Sequence, residues 1–370
     1  MFAFSSKYIM ASLLKRVCVL STVAVVGLIG TLALFAFLVL GLIATFTHAA
    51  TPPPPDAQAA IEALSRANAA VVGVRVKVVE GARSADTLGK QRSGSGVVIG
   101  EEGLILTIGY LMLEAQTIQI VTSDNKTLPA RAVAYDQATG FGLIKTLLPL
   151  RGVRPVPFGN MSDLNAGDAL MAATGTQPDG TEAEVSMTQI VSKRGFTGYW
   201  EYHIEAAVFT SPPIQNHSGA GLFNNRGQLI GIGSLFVTNA MGGNRQLPGN
   251  MFVPVDLLKP ILAEMQRTGS TAKSHRPWLG LSSVEQSGRV QVLRVSKDGP
   301  AQAAGLEPGD VVLAVDGVKV ATVETFYKQL WAREQPNSEI SLTVLQGAEI
   351  KTITLKAVDR MSVMMKPEGI

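Results

Sequence analysis

One turn of the chain carries residue types that nucleophilic catalysis requires. Ser218 stands directly before Gly219, a turn follows at 224–227, and an apolar alternating segment follows at 229–233. A serine hydroxyl attacks a carbonyl carbon when a base takes its proton and a third group orients that base. Catalysis at Ser218 therefore depends on whether distant parts of the chain supply those two partners.

The composition limits the class of protein. The chain has 370 residues, of which 46% are hydrophobic and 16% charged, so it is long enough for two or three domains. Its net charge of +3 is too small to favour nucleic-acid binding. A single Cys18 excludes an intrachain disulfide, and His48, His203, His217 and His275 lack the spacing of a zinc site. We therefore expect no cofactor and no metal.

The first 46 residues have the pattern of a membrane anchor. Residues 1–16 form a basic tail with Lys7, Lys15 and Arg16, and residues 17–46 contain no charged side chain. A helix of this length, at about 1.5 Å per residue, crosses a hydrocarbon core of about 30 Å. The pattern predicts one uncleaved helix in the cell (inner) membrane, with its basic end in the cytoplasm and the later domains in the periplasm or another extracytoplasmic space. A cleaved signal peptide is the alternative, although its apolar region would span only about 7–15 residues.

The middle of the chain, at residues 69–268, is predicted to form a β domain. A proline-rich linker and a lead-in helix occupy 47–68, and short β-branched segments separated by glycines follow from residue 71. Many short strands with almost no helical pattern favour an antiparallel barrel or sandwich. An amphipathic helix at 256–266, with Gly269 as its stop signal, is expected to end this domain.

A second, smaller unit is predicted at 277–360, after a polar linker at 269–276. It opens with Trp278 and the loop Leu279-Gly280-Leu281, and Asp316-Gly317 marks a hairpin turn. A helix at 323–332 and a closing hairpin at 340–355 complete its pattern, and the tail at 361–370 is expected to be unstructured.

The order and spacing of several segments carry a family resemblance. These segments are 94–99, 104–107, 136–145, 214–222, 249–254, 278–281 and 299–317. Together they resemble the HtrA (DegP-like) family, in which a two-barrel trypsin-like (chymotrypsin-fold) protease domain precedes a PDZ domain. The resemblance implies a mainly β fold with these two domains, to which the sequence adds the N-terminal transmembrane helix.

Two positions of the family's catalytic triad hold other residues here. The family's histidine follows a Leu-Thr strand in a pattern like Leu-Thr-Asn-Asn-His, and Tyr110 stands at that position. The family's aspartate follows a threonine, and the corresponding position is Gly140, which has no side chain. A purely structural interpretation of Tyr110 is that its ring fills the space of the lost imidazole and carboxylate. Only the serine of the triad keeps its family identity.

The serine loop also departs from the family pattern Gly-Asn-Ser-Gly-Gly, because it reads Asn216-His217-Ser218-Gly219 followed by alanine. The leading glycine of that pattern adopts, at low cost, the backbone that aims its amide at a developing oxyanion. Asn216 at this position leaves the oxyanion hole in doubt. Ser218 is also explained as a small residue that fits a tight turn.

No other residue is an evident replacement base. His217 adjoins Ser218, and neighbouring side chains in an extended loop point apart. A tyrosine with an ordinary pKa near 10 is a poor proton acceptor at neutral pH. We therefore predict a pseudoprotease that is not an enzyme and acts as an adaptor, chaperone-like holder or regulator. The alternatives are an active serine endopeptidase that uses Ser218 with a non-standard base, and a structural subunit of a membrane complex.

Peptide binding by the second unit needs no triad. Successive amides of Leu279, Gly280 and Leu281 are expected to bind a terminal carboxylate, and the peptide adds as a strand beside the following segment. Its last side chain is expected to lie against Phe326 and Leu330. The predicted partners are protein or peptide C-termini. The resemblance also implies a homotrimer or association with an active relative.

Overall fold

The computed structural model describes residues 55–176, 181–243, 245–333 and 335–365. The membrane anchor predicted at 17–46 lies outside these residues. Over the ranges that are described, no helix is long and apolar enough to cross a bilayer.

Residues 71–146 form a closed barrel of six antiparallel strands in the order β1-β2-β3-β6-β5-β4. Its elements are α1 (Pro55–Ala69), β1 (Val71–Val78), α2 (Ala85–Leu88), β2 (Gln91–Gly100), β3 (Leu104–Ile108), β4 (Ala115–Val121), β5 (Thr127–Tyr135) and β6 (Phe141–Thr146). Strand β1 shows why this sequence forms a barrel wall, since Val74, Val76 and Val78 are buried while Arg75 and Lys77 face solvent. The pairing of Ile108 with Phe141 brings the end of β3 beside the start of β6.

A second closed barrel follows, with its strands in the order β10-β11-β12-β9-β8-β7. Its elements are β7 (Ala169–Ala173), β8 (Val185–Gly198), β9 (Tyr202–Ser211), β10 (Gly221–Phe223), β11 (Leu229–Val237), β12 (Gly249–Pro254) and α3 (Leu262–Thr268). One apolar core joins the two barrels and includes the fully buried rings of Phe141, Phe209 and Phe223. The predicted two-barrel architecture is confirmed.

The helix predicted at 256–266 is shorter than expected. A 3₁₀ turn covers Val255–Leu257, and α3 begins only at Leu262. Pro260 explains the interruption, because proline lacks an amide proton and disfavours helical backbone at the preceding residue. Gly269 ends α3 in a left-handed conformation, and its amide donates to Met265 O over 2.9 Å.

The C-terminal unit contains a six-stranded β-sheet, a two-stranded sheet and two short helices around its own core. Its elements are β13 (Pro277–Trp278), β14 (Leu281–Gln286), β15 (Arg289–Val295), α4 (Pro300–Ala303), β16 (Val311–Val315), β17 (Val318–Lys319), α5 (Val323–Leu330), β18 (Glu339–Gln346), β19 (Glu349–Lys356) and β20 (Val358–Asp359). Thr322 and Thr325 form a capping box that fixes the start of α5.

The described part of the tail is ordered, which corrects the expectation for residues 361–365. A 3₁₀ turn covers Arg360–Ser362, and the Met365 amide donates to Glu114 Oε1 over 3.0 Å. Glu114 belongs to the first barrel, so this tail returns across the chain to a long-range partner that local sequence patterns do not reveal.

Candidate functional site

The Ser218 turn lies between β9 and β10 and is held by both barrels. Ser218 O accepts from the Ser95 amide of β2 over 2.8 Å, and the Gly219 amide donates to Gly233 O of β11 over 2.8 Å. Buried Asn250 fixes the entry of the loop, since its Oδ1 accepts from the Ile214 amide over 2.7 Å. The position of Ser218 is therefore set by hydrogen bonds from three strands, two through backbone atoms and one through the Asn250 side chain.

Tyr110 contacts the Ser218 hydroxyl directly. It lies on a 3₁₀ turn at Gly109–Leu111, immediately after β3. Its phenol oxygen is 2.7 Å from Ser218 Oγ and 2.8 Å from Ser234 O. A phenol carries one proton and a carbonyl oxygen only accepts, so both bonds form together when Tyr110 donates to Ser234 O and Ser218 Oγ donates to Tyr110. Tyr110, at the family's histidine position, thus accepts a hydrogen bond from the Ser218 hydroxyl.

The environment makes this phenol a weak acid. Burial raises the pKa of Tyr110 to about 12, and the hydrogen bond to Ser218 acts in the opposite direction. Tyr110 keeps part of its surface accessible, yet protein atoms surround its hydroxyl and disfavour a negative charge there. At neutral pH the phenol is protonated, so only a small phenolate fraction is available as a base.

The carboxylate position of the triad is filled by aromatic packing. Gly140 has a φ of +82°, and a Cβ placed on it would lie 3.2 Å from the Tyr202 hydroxyl. Tyr202 donates to Thr139 O over 2.7 Å, and burial raises its pKa. In the described ranges no carboxylate forms a hydrogen bond with Tyr110; Ser234 O is the group that orients the phenol.

The neighbouring Asp136 has a structural role. Its carboxylate accepts from the Thr139 amide over 2.9 Å within the turn that precedes Gly140. It also accepts from Thr271 Oγ1 over 2.5 Å and from Ser274 Oγ over 2.6 Å, both in the linker to the C-terminal unit. Asp136 therefore closes a turn and fastens the linker to the first barrel, and it does not contact Tyr110.

The remaining loop residues, His217 and Asn216, do not bond to the Ser218 hydroxyl within the described residues. His217 Nδ1 lies 3.0 Å from Gln215 O, and burial lowers the pKa of its imidazole. Asn216 is exposed and does not adopt a positive φ. Among the described residues, the amides of Asn216 and Ser218 have no protein acceptor. These two amides remain available to a substrate oxygen.

The loop Leu279–Leu281, here called the carboxylate loop, contacts a carboxylate in this structure. The amides of Gly280 and Leu281 each donate over 3.0 Å to Glu201 Oε1, at the turn between β8 and β9. Phe326 and Leu330 are fully buried in the core of the C-terminal unit together with Leu279. The α5 side chain that meets the β8–β9 turn by hydrogen bonds is Tyr327.

Sequence reasoning did not predict that Glu201 contacts the carboxylate loop or that Tyr327 contacts the β8–β9 turn. The only local signal is the aromatic run that surrounds Glu201 at 199–202. Glu201 contacts Gly280 and Leu281, about eighty residues later in the chain, and this contact depends on how the second barrel packs against the C-terminal unit.

One cluster has metal-ligating residue types. His203, Glu205 and Glu324 place ligand atoms within 4.8 Å of one another. The Lys328 ammonium already pairs with Glu205 Oε1 at 2.9 Å and with Glu324 Oε1 at 2.7 Å. We therefore describe the cluster as an ion-pair network that joins β9 to α5.

Two closed barrels that hold a serine turn, followed by a unit with a carboxylate loop, define the class of a trypsin-like protease fold with a PDZ domain. A family model described as trypsin-like peptidase domain matches residues 94–232, and a PDZ domain model matches residues 277–357. The two matches together cover more than half of the chain. The protein belongs to the HtrA/DegP-like family, which confirms the resemblance.

Curated relatives extend this comparison. A probable periplasmic serine endoprotease DegP-like from Halomonas elongata is 28% identical over 281 residues, which cover 72% of this chain and 56% of the relative. Protease Do-like 1, chloroplastic, from Arabidopsis thaliana is 28% identical over 294 residues, which cover 72% of this chain and 63% of the relative. The chain thus spans less than two thirds of the length of these relatives.

Solved structures agree on the fold. The HtrA-type protease AlgW with decapeptide has a TM-score of 0.50 and 24% identity, and the match covers 81% of this chain and 98% of that one. The HtrA-type protease AlgW with tripeptide also has a TM-score of 0.50 and 24% identity, with 84% of this chain and 99% of that one covered.

The comparisons contradict the prediction that the protein is not an enzyme. The relatives from Halomonas elongata and Pseudomonas fulva are named serine endoproteases, and nothing in the comparisons shows inactivity. That prediction is therefore wrong, and the observations at Tyr110 and Gly140 describe how this site differs from the family pattern.

Proposed function

We propose that the protein is an HtrA-type serine endopeptidase in which Ser218 is the nucleophile and Tyr110 is a non-standard base. The observation that carries this proposal is the 2.7 Å contact between Ser218 Oγ and the Tyr110 phenol oxygen. The family relationship supports it, because the related DegP-like proteins are named serine endoproteases.

The proposed reaction follows acyl transfer. Tyr110 in its phenolate form takes the Ser218 hydroxyl proton while Oγ attacks the scissile carbonyl carbon. The unpaired amides of Asn216 and Ser218 are candidates to bind the oxyanion. The phenol then returns the proton to the leaving amine, and water hydrolyses the acyl-enzyme by the same proton path. Because a pKa of about 12 leaves on the order of one phenol in 10⁵ ionised at pH 7, we expect slow turnover.

Covalent labelling tests this proposal. A fluorophosphonate probe is expected to label the purified protein at one site, and Ser218→Ala is expected to abolish both labelling and casein cleavage. The matched control is Ser162→Ala, because Ser162 is an exposed serine whose hydroxyl donates to the neighbouring Asp163 carboxylate. Labelling that survives in Ser218→Ala, or a wild-type protein that neither labels nor cleaves, would contradict the proposal.

The PDZ domain adds a second proposed function, the binding of protein or peptide C-termini. It is supported by the two amides of the carboxylate loop, which donate to one carboxylate oxygen over 3.0 Å each. Terminal carboxylates present the same acceptor atoms, and strand addition beside β14 would supply further backbone bonds. This function requires no change at Ser218.

Membrane anchoring completes the proposal. Residues 17–46 contain no charge, and the relative from Halomonas elongata is named periplasmic. We expect the full chain to stay in the membrane pellet after alkaline carbonate extraction, while a chain that begins at residue 55 is released. Release of the full chain under the same conditions would exclude an integral anchor. Assembly as a homotrimer or with an active relative remains a prediction from the resemblance.

A further inference from the structure

The turn between β8 and β9 makes hydrogen bonds to the PDZ domain. This segment, here called the 199–201 turn, contains Tyr199, Trp200 and Glu201. Glu201 Oε1 accepts from both amides of the carboxylate loop. Two residues earlier, Tyr199 O accepts from the Ser283 amide of β14 over 2.8 Å. The turn therefore contacts the loop and the strand at the same time.

These contacts follow the pattern of peptide binding by strand addition. An added peptide places its end group at the loop and donates or accepts backbone bonds along the neighbouring strand. In this structure, the side-chain carboxylate of Glu201 takes the place of the terminal carboxylate. We infer that the 199–201 turn is an internal ligand of the PDZ groove, and that an external peptide C-terminus binds by displacing Glu201. The inference rests on the proposed peptide-binding function.

Further contacts hold the turn in place. The Glu201 amide donates to the Tyr327 hydroxyl over 3.1 Å, and Tyr327 in turn donates to Tyr199 O over 3.0 Å. Arg276 donates to Glu201 O over 3.2 Å, and Arg360 donates to Trp200 O over 3.4 Å. The turn is thus held by α5, by the linker and by the end of the domain.

Two features of Glu201 weaken the docking of the 199–201 turn and so allow an external peptide to displace it. Glu201 has a φ of +56°, which is an unfavourable backbone conformation for a residue other than glycine. Its side chain is buried, and Oε2 has no hydrogen-bond partner among the described residues. A buried carboxylate oxygen without a partner is costly. A free peptide terminus that pairs both oxygens would relieve this cost.

Protonation of Glu201 is expected to modulate the exchange. Burial raises the pKa of Glu201 to about 7, against the opposing effects of Arg360, the two loop amides and Arg276. The raised pKa means that docking favours the protonated carboxyl group, so docking is strongest at acidic pH and weakens as the pH rises through about 7. Besides these two arginines, the Tyr327 hydroxyl faces the turn from α5. A peptide terminus, with a pKa of roughly 3.5, stays ionised across this interval.

Fluorescence anisotropy on the full chain tests the inference. The probe is a fluorescein-labelled decapeptide that ends in two leucines with a free carboxylate, and its amide-capped form is the negative probe. Glu201→Ala is expected to lower the Kd at pH 6 at least about tenfold, because an internal competitor makes the apparent Kd equal to the intrinsic Kd divided by the fraction of free grooves. Wild-type Kd is expected to fall by on the order of tens-fold between pH 5 and pH 8. Glu201→Gln is expected to remove this pH dependence.

The matched control is Glu205→Gln, four residues after Glu201 and on β9. Glu205 is exposed, and it pairs with Lys328 of α5 without contacting the carboxylate loop. We expect the Kd of Glu205→Gln for the labelled peptide to stay within about twofold of the wild-type value. Equal tightening in Glu205→Gln and Glu201→Ala would overturn the specific role of Glu201.

The remaining outcomes separate this inference from the peptide-binding proposal. Peptide binding with the same Kd in wild type and Glu201→Ala would overturn the internal ligand and leave peptide binding intact. No binding in any variant would overturn both. Should Glu201→Ala fail to fold, the wild-type series decides, since a Kd that is constant from pH 5 to pH 8 contradicts the inference.

Discussion

Raising the pH from 7 to 10 is expected to increase the rate of Ser218-dependent cleavage about a thousandfold. The reason is the pKa of about 12 at Tyr110, below which the phenolate fraction rises tenfold per pH unit. An enzyme with a histidine base would instead reach a plateau near neutral pH. The measurement is kcat/KM for a fluorogenic peptide at each pH, after subtraction of the rate for Ser218→Ala.

Two variants at Tyr110 make this prediction specific. Tyr110→Phe removes the phenol and is expected to lower kcat/KM by about 10²–10⁴ at pH 10 and to flatten the profile. Tyr110→His is expected to move the rise in rate to near pH 6.5. A profile in Tyr110→Phe that matches wild type would show that another group accepts the proton. The series ends at pH 10, since burial lowers the pKa of Arg276, which holds the 199–201 turn, to about 10.

The substitution Gly219→Ala is expected to destabilise the fold by about 2–5 kcal/mol. Left-handed backbone costs an alanine about 1–2 kcal/mol, and a forced displacement in a packed site costs about 1–3 kcal/mol more. Both apply because Gly219 has a φ of +78°, and a Cβ there would lie 1.9 Å from Ser95 O. The measurement is the free energy of unfolding in urea, and loss of fluorophosphonate labelling is expected with it.

A matched glycine isolates the steric part of this effect. Gly152 has a φ of +79°, and a Cβ on it would have no neighbour within 4 Å. Gly152→Ala should therefore cost only the backbone strain of about 1–2 kcal/mol. Equal destabilisation in both variants would mean that the approach of Ser95 to the Ser218 turn does not constrain the loop.

Much of the fold could be predicted from local patterns. The alternation of buried valines with exposed Arg75 and Lys77 in β1 indicates a strand with one face in a core. The helix at 256–266 was partly wrong because the apolar spacing continues through Pro260, where backbone chemistry prevents a helix. The family resemblance supplied the arrangement of these strands into two barrels.

The candidate site was only partly accessible to such reasoning. The position of Tyr110 after the Leu-Thr strand places it near Ser218, and the structure brings their oxygens to 2.7 Å. The sequence offered no sign that Ser234 O would orient the phenol or that burial would raise its pKa. Ser234 lies 124 residues from Tyr110 in the chain, so local sequence patterns do not reveal this contact.

By itself, the sequence determined the strands, the serine on a tight turn and the two altered triad positions. Through the family resemblance it also determined the two-barrel arrangement. Residue type and spacing encode these features locally. Only the tertiary structure decided that Tyr110 pairs with Ser218, and that Glu201 occupies the carboxylate loop of the PDZ domain. The physical reason is that both contacts join segments far apart in the chain, so their geometry depends on how separately formed units pack.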